Sequence, residues 1–263
     1  MRYFRLIAAF ARASAQQELA YRTNFLISLL HSLLNLVTGI LGIVILFDQI
    51  EMIQGWDFAS TLALLGVYLI LGALRSLFIE PSLDALAGMS GVIWEGTFDF
   101  TLLRPLNAQF MASFQRWRPL ALFDMLLALI VLGVAVAQLN RTLNFMEIAG
   151  FLLSLMISLI ILYSLLLGLT SFVFWGPGFY YTWIFNGIFQ MARYPVGLYP
   201  GWLRMVLTWI VPVGMMTTVP AQTFGGDVSP LLLTGSLILA ICLFAGSSFL
   251  FQTGLQRYSS ASS

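Results

Sequence analysis

The chain contains no lysine: its twelve basic side chains are all arginine, set against eleven acidic residues and a single histidine. The phosphate-cradling loop G-x-x-x-x-G-K-[ST] requires that lysine, so no conventional nucleotide site is expected in this chain. One cysteine, Cys242, excludes an intramolecular disulfide and leaves the redox compartment open. One histidine, His31, excludes the clustered ligands of an H-E-x-x-H zinc site, and no metal centre is expected. It is also the only imidazole base for a serine nucleophile, and no G-x-S-x-G element accompanies it. Asp124 is the one aspartate inside an expected membrane span, which leaves no aspartate dyad. No catalytic residue, and no enzymatic activity, is expected.

Charge is scarce as well. Charged residues make up 9% of the chain, whereas a soluble domain carries about 25%. With 60% hydrophobic residues and a mean hydropathy of +0.92, the chain reads as an all-α polytopic membrane protein. A membrane-crossing helix needs roughly 20 apolar residues. The 263 residues therefore hold about six spans in a single transmembrane domain covering 1–263, with no separate soluble domain. A formal charge of +1 gives no reason to expect a nucleic-acid partner.

The arginines punctuate what is there. Arg2, Arg5, Arg12 and Arg22 spread across the start of the chain before any long apolar run, unlike a cleaved signal peptide. As a helix, 1–22 puts Arg5, Arg12 and Gln16 near one face and Phe4, Ile7, Ala8, Ala11 and Ala15 towards the other, an interfacial pattern. Spans are expected at 24–47, 59–79, 119–139, 145–168, 177–193 and 229–252. Asn140, Arg141, Thr142 and Asn144 form a short turn between the third and fourth. The fifth is short, because Gly176-Pro177-Gly178 delays its start. Residues 194–227 hold Pro195, Pro200, Pro212 and Pro220, and their best apolar run, 206–219, has the length of a re-entrant segment. The stretch 81–118 interleaves Glu95, Asp99, Arg104, Arg116 and Arg118 with apolar residues and reads as amphipathic helices at a membrane surface. Six spans place nine arginines on the side of the termini and of this stretch. Arg141, Arg193 and Arg204 fall on the other, so the termini and the long loop are expected in the cytoplasm.

Individual polar residues carry expectations too. His31 is expected as a packing hydrogen-bonder rather than a proton relay, having no ionisable neighbour in its own span, and Arg75 as a side chain that snorkels to the interface, with an ion pair inside the bundle as the alternative. Asp124 is expected to pair with Arg116 or Arg118, or to cap a loop. Gly197-x-x-x-Gly201 matches a helix-dimer pattern by letter alone, since Pro195 and Pro200 oppose a regular helix there. Tyr180, Trp183 and Asn186 suit a passage for amphipathic or hydrophobic cargo, although interfacial aromatic belts have the same composition.

Two segments stand apart from simple membrane packing: Trp94-Glu95-Gly96-Thr97-Phe98-Asp99-Phe100-Thr101-Leu102-Leu103-Arg104-Pro105, and the run from Arg193 through Tyr194, Pro195, Tyr199 and Pro200 to Pro212. Together they resemble permease subunits of type-2 ABC exporters, in the branch that includes viologen-exporter-like permeases. There a G-x-x-D-x-x-L-L-R-P element follows the second span, matched here by Gly96, Asp99, Leu102, Leu103, Arg104 and Pro105. The resemblance implies a plasma-membrane export permease with six spans, working beside a second copy or paralogue and two cytoplasmic ABC ATPase subunits that hold ATP and Mg. It implies that Glu95, Gly96, Phe98, Asp99, Leu102, Leu103, Arg104 and Pro105 couple to the ATPase, and that Tyr194, Pro195, Tyr199, Pro200 and Pro212 belong to a re-entrant outer cap. An ion-coupled secondary transporter or channel, using Asp124, Arg75 or His31, is the alternative.

Overall fold

The structure, a computed structural model, describes residues 2–19, 22–139, 143–224 and 230–258, and among these it is all helix and loop apart from one isolated bridge between Ile53 and Trp56. Asn140, Arg141 and Thr142, the end of the segment expected over 194–227, and the serine-rich tail lie outside the described residues.

Helix α1 (Arg2–Leu19) is amphipathic and α2 (Arg22–Phe47) is apolar almost throughout. α3 (Phe58–Leu74) starts where Asp57 accepts the Ser60 backbone N–H at 2.8 Å while the Ser60 hydroxyl accepts that of Asp57 at 3.0 Å. It runs on through a π-turn at Arg75–Ile79 into α4 (Glu80–Asp84). Pro81 explains the irregular turn: it has no N–H for the carbonyl of Leu77, and the Arg118 backbone N–H takes that carbonyl instead, at 2.8 Å. Short helices α5 (Asp99–Leu102) and α6 (Ala108–Phe114) follow, then the long α7 (Ala121–Gln138) and α8 (Phe145–Ser171), the latter extended by a 3-10 turn through Phe174. After α9 (Thr182–Met191) come α10 (Gly201–Met205) with a π-turn to Ile210, α11 (Val213–Thr223) and α12 (Pro230–Arg257).

Five of these helices are long and apolar enough to cross a membrane: Leu26–Phe47, Phe58–Asp84, Ala121–Gln138, Phe145–Phe174 and Pro230–Arg257. The pair Gly201–Ile210 and Val213–Thr223, bent by 87°, is a broken or re-entrant sixth. α3 is the centre, with most of its side chains buried between α7, α8 and α11. Gly66 lets α3 and α7 approach until a Cβ there would lie 3.0 Å from Leu132. The hydroxyls inside α8 add no unsatisfied polarity, because Ser158, Ser164, Thr170 and Ser171 each donate to the carbonyl one turn back, at 2.7 to 2.8 Å.

The fifth span differs from expectation. α9 has ten residues, roughly 15 Å at 1.5 Å per residue, about half a hydrocarbon thickness. Gly178, at φ +94°, and the turn around it delay the helix, and Pro195 precludes its continuation. The chain still traverses the bundle here. Tyr181 donates to Asp84 at one end of α3–α4, and Gly197 lies against Gln54, before the opposite end of α3. A short helix followed by irregular chain covers the distance.

The same contacts resolve the bent pair. Arg204 reaches Gln54 at 3.4 Å, and Gly150, near the start of α8, faces Thr223. Both ends of the pair thus lie at one end of the bundle, as a re-entrant segment requires. The opposite end, called the motif end below, carries residues 85–107. α1 is held there by the Trp117 backbone N–H on Ser14 at 3.1 Å, and Tyr258, just past α12, meets Phe98 there edge-on.

Candidate functional site

At the motif end the loop after α4 folds back on itself. The Val92 backbone N–H donates to Ala85 at 2.9 Å and the Phe98 N–H to Val92 at 3.0 Å. Gly88 and Gly96 adopt φ of +78° and +70°, and a side chain at Gly88 would collide with the ring of Tyr180. The Ser82 hydroxyl donates to the Arg116 carbonyl at 2.7 Å and accepts the Arg116 N–H at 2.9 Å, closing the loop onto the chain that leaves α6. Farther along, the Gln109 amide reaches Ser248 at 3.0 Å and Tyr163 at 3.3 Å, so α6 is tied to α8 and α12.

Phe98 fixes the segment from Trp94 to Pro105 to this base. It has 0% exposure and sets its ring edge-on to Phe174 and Tyr258, at centroid distances of 6.0 and 5.5 Å. Burial, and then the neighbouring Asp99 carboxylate, raise the pKa of the Tyr258 hydroxyl above the ordinary tyrosine value of 10.0. The next residues turn outward. Leu103 is 80% exposed, and Met89, Trp94, Phe100 and Leu102 of the same loop are exposed as well. Glu95, Arg104 and Pro105 are exposed too, and neither Glu95 nor Arg104 has a side-chain partner among the described residues. The result is an apolar rim with two unspent charges of opposite sign, standing past the end of α4.

Of the residues expected to couple to an ATPase, Glu95, Leu102, Leu103, Arg104 and Pro105 are exposed, while Gly96 and Asp99 are half-buried. Phe98 points the other way, into the core, because the turn at Gly96 and the one-turn helix α5 put it on the inner face. Tyr180 lies against this same loop, and Trp183 is exposed on α9. Only Asn186 of that trio lines the cleft that opens between α2, α3, α7 and α9. The second segment clusters at the far end. A side chain at Gly42 of α2 would collide with the Tyr194 hydroxyl, and Tyr199 donates to the Met191 carbonyl at 2.9 Å. Pro195 and Pro200 precede the turns that flank Tyr199, and Pro212 occupies the 87° bend.

Three polar residues differ from expectation. Arg75 does not snorkel: its guanidinium faces Glu80 at 3.3 Å with both side chains nearly buried, and rests over the rings of Phe185 and Phe189 at 5.5 and 5.0 Å. The π-turn rotates it inward. Asp124 pairs with neither Arg116 nor Arg118, since Arg118 faces Glu18 at 3.9 Å. His31 has no hydrogen-bond partner among the described residues; it is exposed and borders an open cleft between α2, α3, α7 and α9. A signal for that cavity was present in the sequence: Ser28, His31, Ser32 and Asn35 follow the i, i+3, i+4, i+7 spacing of one helix face.

Residues 33–262 match the family model described as "ABC-2 family transporter protein". No curated protein matches the chain.

Proposed function

The chain belongs to the ABC-2 transporter family and is thus a membrane component of an ABC transporter; on that premise we propose that it is one permease half of an ATP-driven exporter, of the viologen-exporter-like branch. Its work comes from separate ATPase subunits, which hold ATP and Mg and dock on the surface around Glu95, Leu102, Leu103, Arg104 and Pro105. The observation that carries this reading is the pairing of a buried anchor with an exposed rim: Phe98 ties the loop to α8 and α12 while Leu103 and Arg104 stand free. A push on the rim is thereby transmitted to the helices that cross the bilayer. Asp99 sits between the two, beside Tyr258.

A second copy or a distinct permease completes the membrane core, with the lipid bilayer around it. The motif end, with both described ends of the chain, faces the cytoplasm of a plasma membrane, as the arginine bias favours. The segment from Tyr194 to Pro212 caps the outer end.

Leu103→Glu and Arg104→Ala should each leave the chain in the membrane at normal amounts while reducing ATPase co-purification and ATP-dependent export at least tenfold. Normal export by both variants would refute the docking role. The alternative, an ion-coupled transporter, draws on His31 and Asp124, which share one cavity. Export driven by an ion gradient in the absence of ATP would favour it.

A further inference from the structure

The polar face of α2 does not meet another helix. Ser28, His31, Ser32 and Asn35 line a cavity of about 590 Å³ that α3, α4, α7 and α9 close on the other sides. Helix register brings ionisable groups from three chain segments to one level. Gly66 packs on Leu132 in the antiparallel pair α3 and α7, so Asp124, eight residues before Leu132, falls opposite Leu74. Gly39 packs on Leu65 in the antiparallel pair α2 and α3, so His31 falls opposite Ala73. Arg75 belongs to the same level.

The charges of this cavity are unequally satisfied. Arg75 faces Glu80 at 3.3 Å and rests over two phenyl rings, although its buried Nε and Nη1 make no hydrogen bond among the described residues. Asp84 accepts the hydroxyls of Tyr181 at 3.1 Å and Thr182 at 2.7 Å. Arg118 faces Glu18. Arg193, at the far rim, donates to Asn35 and rests over Tyr68. Asp124 has neither a hydrogen bond nor an ion pair among the described residues, and the buried Oδ1 of Asn186 has no donor among them. Asp124 is half-buried in the first turn of α7, where the helix N-terminus favours its negative charge and leaves the carboxylate available to a cation from the cleft. The lining holds two arginines against Glu80, Asp84 and Asp124, one net negative charge with His31 neutral. Access exists: Ile27, Ser28, Arg118 and Leu120 also line a second cavity, of about 710 Å³, which opens beside α1 at the motif end.

We infer that this cleft is a binding site for an amphipathic primary or secondary ammonium ion, whose charged end pairs with Asp124 while a further N–H or O–H donor satisfies Asn186. The apolar body lies along Leu36, Leu69 and Tyr68. Treated as the cargo site, it rests on the transporter reading above; treated as a binding site, it does not.

The test uses the full chain, with whatever subunits co-purify, in lipid nanodiscs. Dansylcadaverine, a fluorescent primary ammonium, is titrated beside its neutral N-acetyl derivative and an anionic dansyl carboxylate. The ammonium probe should bind at least tenfold more tightly than either, Asp124→Asn should weaken it at least tenfold, and Asp124→Glu should restore most of it. Ser32→Trp, which fills the cleft without touching a charge, should abolish binding and supplies the answer if the Asp124 variants fail to fold. Unchanged binding in Asp124→Asn or Ser32→Trp overturns the inference, and so does tighter binding of the anionic probe, which would assign the cleft to Arg75 and Arg118. Binding that persists without ATP-dependent export removes the transporter reading and leaves the site. Export that persists without binding removes the site alone.

Discussion

A ring with no exposure in the middle of an otherwise exposed segment divides the roles of neighbouring residues. Removing the phenyl group of Phe98 deletes contacts with Phe174 and Tyr258 and leaves a cavity, a change that costs about 3–5 kcal/mol in a well-packed core. Phe98→Ala should therefore release the whole loop, detected as faster proteolysis between residues 89 and 105 together with loss of ATPase association. Leu103→Glu should lose the association while the loop stays protected, because the Leu103 side chain makes almost no contact within its own chain. Equal proteolysis of the two variants would show that Phe98 is not the anchor. The motif was legible in the sequence, and so was its placement beside the second span. Its division into inner and outer faces was not, since a positive φ at Gly96 and a four-residue helix set the directions.

Among the elements, α2 is the least enclosed of the long helices, and its neighbours reach it through two glycines. Gly39 admits Leu65 from α3, and Gly42 admits the Tyr194 hydroxyl from the chain after α9. Gly42→Val would collide with that hydroxyl, and overpacking of this kind costs about 1–3 kcal/mol. It should lower the thermal unfolding midpoint of the purified chain, and Tyr194→Phe in the same background should recover part of the loss. No recovery would place the strain elsewhere. The sequence marked α2 as a span from its apolar run alone. The polar face from Ser28 to Asn35 was equally present in it, but spacing by itself does not say whether such a face meets a helix, lipid or a cavity. α9 shows the converse, since Gly178 and Pro195 were visible as interruptions while the continued passage of the irregular chain depends on Asp84 at one end and Gln54 at the other.

At the scale of the whole molecule, both described ends of the chain share the motif end, and the bent pair begins and ends at the opposite one. In a Cys242→Ser background, single cysteines at Leu103 and Gln256 should react with an impermeant maleimide only after the membrane is opened from the cytoplasmic side. Cysteines at Gln54 and Met146 should react in intact cells. Labelling of Leu103 and Gln54 from the same side would contradict the arrangement.

Composition by itself determined the solvent of this protein, because a chain so poor in charge has no surface to offer to water. Apolar run length located the long helices before any contact was known. Tertiary structure decided what the few polar residues do. Arg75 found Glu80 across a π-turn, while Asp124 and His31 were left unpaired on one cavity. The reason is physical: the length of an apolar run is a local property. A charge at membrane depth is satisfied or left open by whichever helix the fold brings to its level, and that helix is distant in sequence.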